Sequence, residues 1–108
     1  MVATVTERKA RKLEHLRSSS REVMAELRSY AARHHGRFLV FGSIARNEPR
    51  FDSDFDVVVD FPTTLERAAR DYAEAACRRH GISPDVHLMS EASDGLMLRV
   101  RRDAVVLS

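Results

Sequence analysis

The chain has 108 residues, 44% of them hydrophobic, which fits one small domain with a single core. Its lone cysteine excludes a disulfide framework, and no apolar run approaches the roughly 18 residues of a membrane-spanning helix. The basic residues near the N-terminus precede no apolar stretch, so no signal peptide is expected and a cytoplasmic location is the simplest reading. The net charge of +2 is unevenly spread. Residues 1–50 carry 11 Arg/Lys against 5 Glu, a net +6, and residues 51–108 carry 7 against 11 acidic residues, a net −4. A basic first half suits nucleic acid or an acidic partner, or else a solvated helix face.

Residues 4–35 read as helix, opened by the capping-box spacing of Thr4 and Glu7. Leu13, Leu16, Val23, Met24, Leu27 and Ala31 recur at helical intervals and form one apolar stripe. Ser18-Ser19-Ser20 interrupts it, because serine hydroxyls compete for backbone hydrogen bonds, so two helices or one bent helix both fit. Gly36 is the stop signal, with His34 and His35 in the last turn.

Arg37 to Phe41 reads as a buried strand ended by Gly42, and Ser43 to Arg46 as a helical turn. Asn47 to Arg50 is loop-like around Pro49. From Asp54 to Phe61 the pattern alternates strictly. Asp54, Asp56, Val58 and Asp60 point one way; Phe55, Val57, Val59 and Phe61 point the other. Pro62 closes this half-buried strand, and Thr63 or Thr64 is expected to cap a helix running to about His80, with Gly81 ending it. Asp85 to Met89 reads as a third strand, with Asp85, His87 and Met89 on one face. Ser93-Asp94 starts a short helix through about Arg102, and Ala104 to Leu107 is a last apolar strand. The order predicts an α/β (α+β) fold: a small mixed sheet with helices stacked largely on one face. Residues 1–108 are expected to form a single domain, with an N-terminal helical segment at 1–35 and a core at 36–108.

Asp54 and Asp56, two apart on a strand, project from one face. Two close carboxylates repel and serve a structural core poorly. A hard divalent cation such as Mg²⁺ uses them, because it prefers oxygen ligands and keeps substrate phosphates in its shell. Asp85 supplies a third carboxylate if its strand lies beside theirs. Two metals held by three carboxylates activate an attacking oxygen and stabilise a leaving pyrophosphate. Gly42 permits close backbone approach to a phosphate, Ser43 offers an N–H and a hydroxyl at a helix start, and Arg46 lies one turn later. Cys77, among helix formers, reads as an ordinary packed thiol. His34, His35 and His80 read as helix C-terminal charges without zinc spacing.

Gly42-Ser43, ten residues, then Asp54-Phe55-Asp56 resembles the signature of the DNA polymerase β-type nucleotidyltransferase superfamily. The fuller strings Phe41 to Arg46 and Ser53 to Val59 resemble its small MNT branch, with the likeness running from about residue 36 to the end. The resemblance implies the shared polymerase β-like fold, Mg²⁺ dependence and nucleotidyl transfer, with Gly42, Ser43, Asp54, Asp56 and Asp85 in the working roles. Within that branch, MNT proteins are often antitoxins that silence a HEPN ribonuclease toxin by attaching AMP from ATP to a tyrosine, while others modify RNA or small molecules. One departure is Asn47, where many members have Gly; Asn tolerates the left-handed backbone better than most residues.

Three functions compete. The first is an enzyme that AMPylates a partner toxin within a hetero-complex. The second is a transferase acting on RNA, held by the basic first helix, which the 6% aromatic content disfavours. The third is a silent module docking through the Leu13/Leu16/Val23/Leu27 stripe.

Overall fold

A computed structural model describes residues 4–108; the first three residues of the expected N-terminal segment lie outside the described residues. The element order is α1 (Val5–His34), β1 (Arg37–Phe41), α2 (Gly42–Ala45), β2 (Phe55–Asp60), α3 (Glu66–Arg79), β3 (Pro84–Leu88), a 3₁₀ turn (Met89–Glu91), α4 (Asp94–Asp103) and β4 (Val105–Leu107). The sheet order is β3-β2-β1-β4. β1 runs antiparallel to both β2 and β4, and β2 runs parallel to β3.

The first helix is continuous. Thr4 accepts from the Glu7 N–H while Glu7 reaches back to the Thr4 N–H, so the predicted capping box is present. The serine triplet does not break it. Ser18 donates to the His15 carbonyl, Ser19 lies 3.4 Å from His15 Nε2, and Ser20 turns inward with no hydrogen-bond partner for its hydroxyl. Of the predicted stripe, Leu16, Val23, Leu27 and Ala31 are buried in the chain's own core, beside Phe38, Val40 and the α3 alanines. Leu16, Val23 and Leu27 of the expected docking stripe are therefore covered within the fold, and Leu13 is half-buried beside Phe51.

The helix stops one residue earlier than Gly36 suggests. His35 takes the left-handed cap at φ 58°, and its N–H reaches the Ala31 carbonyl. Gly36 is required for another reason: a Cβ there would overlap the Phe61 ring. Neither Thr63 nor Thr64 caps α3. The chain makes a turn, with Leu65 N–H bonding Pro62 O, and Leu65 becomes an N-cap with no side-chain bond. At the far end His80 reaches α1, with Nδ1 2.9 Å from Glu22 and Nε2 3.0 Å from Glu26, while Arg79 also meets Glu26.

The alternation of β1 and β2 sorts the two faces. Phe38, Val40, Phe55, Val57 and Val59 pack against α1 and α3. Leu39, Phe41 and Val58 pack against Val100, Leu96 and Met97 of the short α4 on the opposite face. Two helices thus cover one face fully and α4 covers part of the other. The uncovered part of that second face is where the carboxylates of β2 and β3 emerge. Among the described residues no helix is long and apolar enough to cross a membrane.

Candidate active site

Topology brings three strand ends to one edge. Because β1 is antiparallel to β2 and β2 parallel to β3, the last residue of β1 and the first residues of β2 and β3 lie side by side. Phe41 pairs with Asp56, and Asp56 pairs with Asp85. Registered residues on adjacent strands share a face, so Asp56 and Asp85 project together on the α4 side. Asp54 precedes β2 with the same parity and is exposed.

The Asp56 carboxyl is half-buried and is pushed up to about 6. Burial is the largest cause, then the Asp85 carboxyl, close enough to share a proton and to repel the charge; Asp54 adds repulsion and Arg99 opposes it. Asp85 also meets His87, its neighbour on the same face, with Oδ1 3.2 Å from Nε2. Among the described residues no three His, Cys, Asp or Glu side chains already stand in a metal-ligand cluster. Asp56 and Asp85 are brought together; Asp54 contributes its field from the solvent side.

The donor set nonetheless fits a hard cation. It is all oxygen, its negative charges crowd one another, and the half-buried carboxyl is strained toward its neutral form, which a bound cation would reverse. Cys77 offers no alternative chemistry: it is buried in the α1/α3 layer and its thiol is pushed up to about 12 by that burial.

Gly42 follows β1 with φ +77°, and a Cβ there would overlap Asp56 Oδ2. Glycine is thus demanded twice, by the left-handed backbone and by the carboxylate above it. Ser43 opens the α2 turn and donates its hydroxyl to Ser53 at 2.9 Å, while Ser53 accepts from the Arg50 N–H at 2.8 Å. This pairing ties the turn after β1 to the loop that delivers Asp54. Asn47 sits at φ 58°, so it does adopt the conformation that glycine would supply.

Arg46 ends α2. Its guanidinium is engaged by Asp103 of α4 at 2.8 Å and lies 3.7 Å from Glu48. Asp103, only 4% exposed, is covered by Arg102 and Arg46 rather than sunk in the core, and these two arginines hold its carboxyl below the usual range. Ser53 opens the string Ser53 to Val59, but nothing in that string signals its bond to Ser43. Another residue of the edge escapes the sequence reading altogether. Arg99 of α4 lies with its Cζ 5.3 Å from the Phe41 ring centroid, and only the packing of α4 brings it to this edge.

The edge is open rather than enclosed. A groove of about 430 Å³ lies behind it, lined by Arg11, Lys12 and His15 of α1 and by Phe51, Ser53 and Ser83 of the loops that lead into β2 and β3.

The family described as "Nucleotidyltransferase domain" matches residues 20–106. That match begins within α1. A solved structure provisionally described as a minimal nucleotidyltransferase is 34% identical, with a TM-score of 0.55, covering 86% of this chain and 93% of its own. No curated protein matches.

Proposed function

Because this chain belongs to the nucleotidyltransferase domain family, we propose that it moves AMP from ATP, with Mg²⁺, onto a hydroxyl of a partner protein. The partner in this reading is a HEPN-type toxin, the chain is its antitoxin, and the two meet in the cytoplasm as a hetero-complex. The observation that carries the reading is the stack of Gly42, Asp56 and Asp85 across three neighbouring strand ends. It joins a backbone open to a phosphate with paired oxygens suited to a divalent cation.

In this mechanism Asp54, Asp56 and Asp85 would hold Mg²⁺, which would supply positive charge against the triphosphate. Gly42 and Ser43 receive phosphate oxygens through free N–H groups at the start of α2. Arg46 provides a cation one turn on, provided its pair with Asp103 loosens. The acceptor oxygen bonds to the α-phosphorus and the bond to the bridging oxygen breaks. Pyrophosphate leaves with that electron pair, and the acceptor proton passes to a carboxylate of the edge.

The open edge supports an acceptor that brings its own walls, as a folded partner does. A second reading, transfer to RNA, is favoured by the groove behind the edge, where Arg11, Lys12 and His15 suit phosphates. The test offers the neighbouring-gene product and total RNA separately, with Mg²⁺ and α-labelled ATP. The first reading predicts label on protein, with added AMP on a tyrosine; label on RNA alone establishes the second.

A further inference from the structure

The edge contains an arginine that no ion pair absorbs. Among the described residues, Arg46 pairs with Asp103 and Glu48, and Arg102 pairs with Asp103. Arg99, on the same helix as Asp103, has no salt bridge there. It is exposed, and its guanidinium stands over the Phe41 ring at 5.3 Å. Phe41 is fully buried and is the strand partner of Asp56. The ring fixes where the cation stands, by the attraction of a guanidinium to an aromatic face.

The helix that carries it is also fixed. Val100 is buried against Leu39, Phe41 and Val58, and the Asp103–Arg46 pair ties the end of α4 to the end of α2. Arg99 therefore faces the carboxylates from α4, whereas Gly42 and Ser43 approach from the end of β1. A group seated between them is flanked by oxygens that accept a cation and by a planar donor fork. That combination matches a polyphosphate carrying a divalent cation, since a guanidinium can give two parallel N–H bonds to phosphate oxygens.

We propose that Arg99 is a nucleotide-binding residue whose guanidinium contacts the β- and γ-phosphates, the part that leaves as pyrophosphate. The inference rests on the nucleotidyltransferase reading of the same edge. It assigns to α4 a contact with substrate that the Gly-Ser and Asp-x-Asp strings do not include.

The test measures binding of a non-hydrolysable ATP analogue and of AMP, each with Mg²⁺, to the wild type and to Arg99→Gln, Arg99→Lys and Asp56→Asn. Thermal melting of each variant checks the fold. Arg99→Gln is expected to weaken ATP-analogue binding by roughly tenfold to a hundredfold, the range for charge-assisted bonds. AMP binding should be unchanged, because AMP lacks the phosphates that Arg99 touches, and Arg99→Lys should recover part of the loss. Equal weakening for AMP and the analogue would overturn the proposal, since it would mean Arg99 acts only by shaping the edge. Wild-type affinity in Arg99→Gln while Asp56→Asn loses binding would overturn it and leave the nucleotidyltransferase reading standing. Absence of Mg²⁺-dependent binding in the wild type would overturn both.

Discussion

Gly42 lies directly against Asp56: its φ is +77°, and a β-carbon at that position would occupy the space of Asp56 Oδ2. The contact couples the turn after β1 to the carboxylate that starts β2. Gly42→Ala has to relax both a left-handed alanine and a steric overlap. The backbone term alone is about 1–3 kcal/mol. Chemical denaturation should show a loss of at least that order, and transfer activity should fall further than stability, because relief of the overlap displaces Asp56. Full activity in Gly42→Ala would show that the contact does not position the carboxylate.

The Asp56 carboxyl gives a pH dependence with a definite sign. Its value rises from 3.8 to about 6 on folding, so the folded protein holds this proton more tightly than the unfolded chain does. The associated stability is fully present below pH 3.8 and is lost as pH rises through about 6. Melting temperatures across pH 4–8 should therefore decline more in the wild type than in Asp56→Asn, and the variant should be the more stable at pH 7. Mg²⁺ should stabilise the wild type most above pH 6 and the variant less. An identical pH profile for both proteins would remove Asp56 as the titrating group.

Asp103 has the opposite sign. Arg102 and Arg46 favour its charged form, so its contribution is present above the ordinary carboxyl value and is lost as pH falls through the folded one. Asp103→Asn should lower the melting temperature at pH 7 and have little effect at strongly acidic pH.

Ser20 is 4% exposed and its hydroxyl has no partner. Replacing an unsatisfied buried hydroxyl with alanine, the best helix former, should be neutral or should raise stability by about 1 kcal/mol. A clear destabilisation of Ser20→Ala in urea would mean that the hydroxyl is bonded in solution.

These contacts show where a sequence is informative and where it is not. Strict alternation from Asp54 to Phe61 told which residues face the core, because strand geometry has a period of two. The Thr4/Glu7 box and the Ser93 cap of α4 were legible because both bonds span three residues. The α3 start was not, since Pro62 and Leu65 form a turn that leaves both threonines outside the helix. The apolar stripe of α1 was visible, but periodicity cannot say whether its cover is the chain's own sheet or a partner. Asp56, Asp85 and Gly42 were all singled out, yet their adjacency depends on the antiparallel β1–β2 pairing and on a parallel β2–β3 pairing across 29 residues. Arg99 and Asp103 reach the edge only through the packing of α4, and their local sequence shows nothing but helical charges.

The most direct test of the central claim follows the phosphorus. The protein is incubated with Mg²⁺, the neighbouring-gene product and ATP labelled at either the α- or the γ-phosphate, using wild type and Asp56→Asn. Label from the α-position is expected to become attached to the acceptor, γ-label to leave as pyrophosphate, and Asp56→Asn to abolish attachment while remaining folded. Attachment of γ-label, or α-label transfer undiminished in Asp56→Asn, would contradict the central claim.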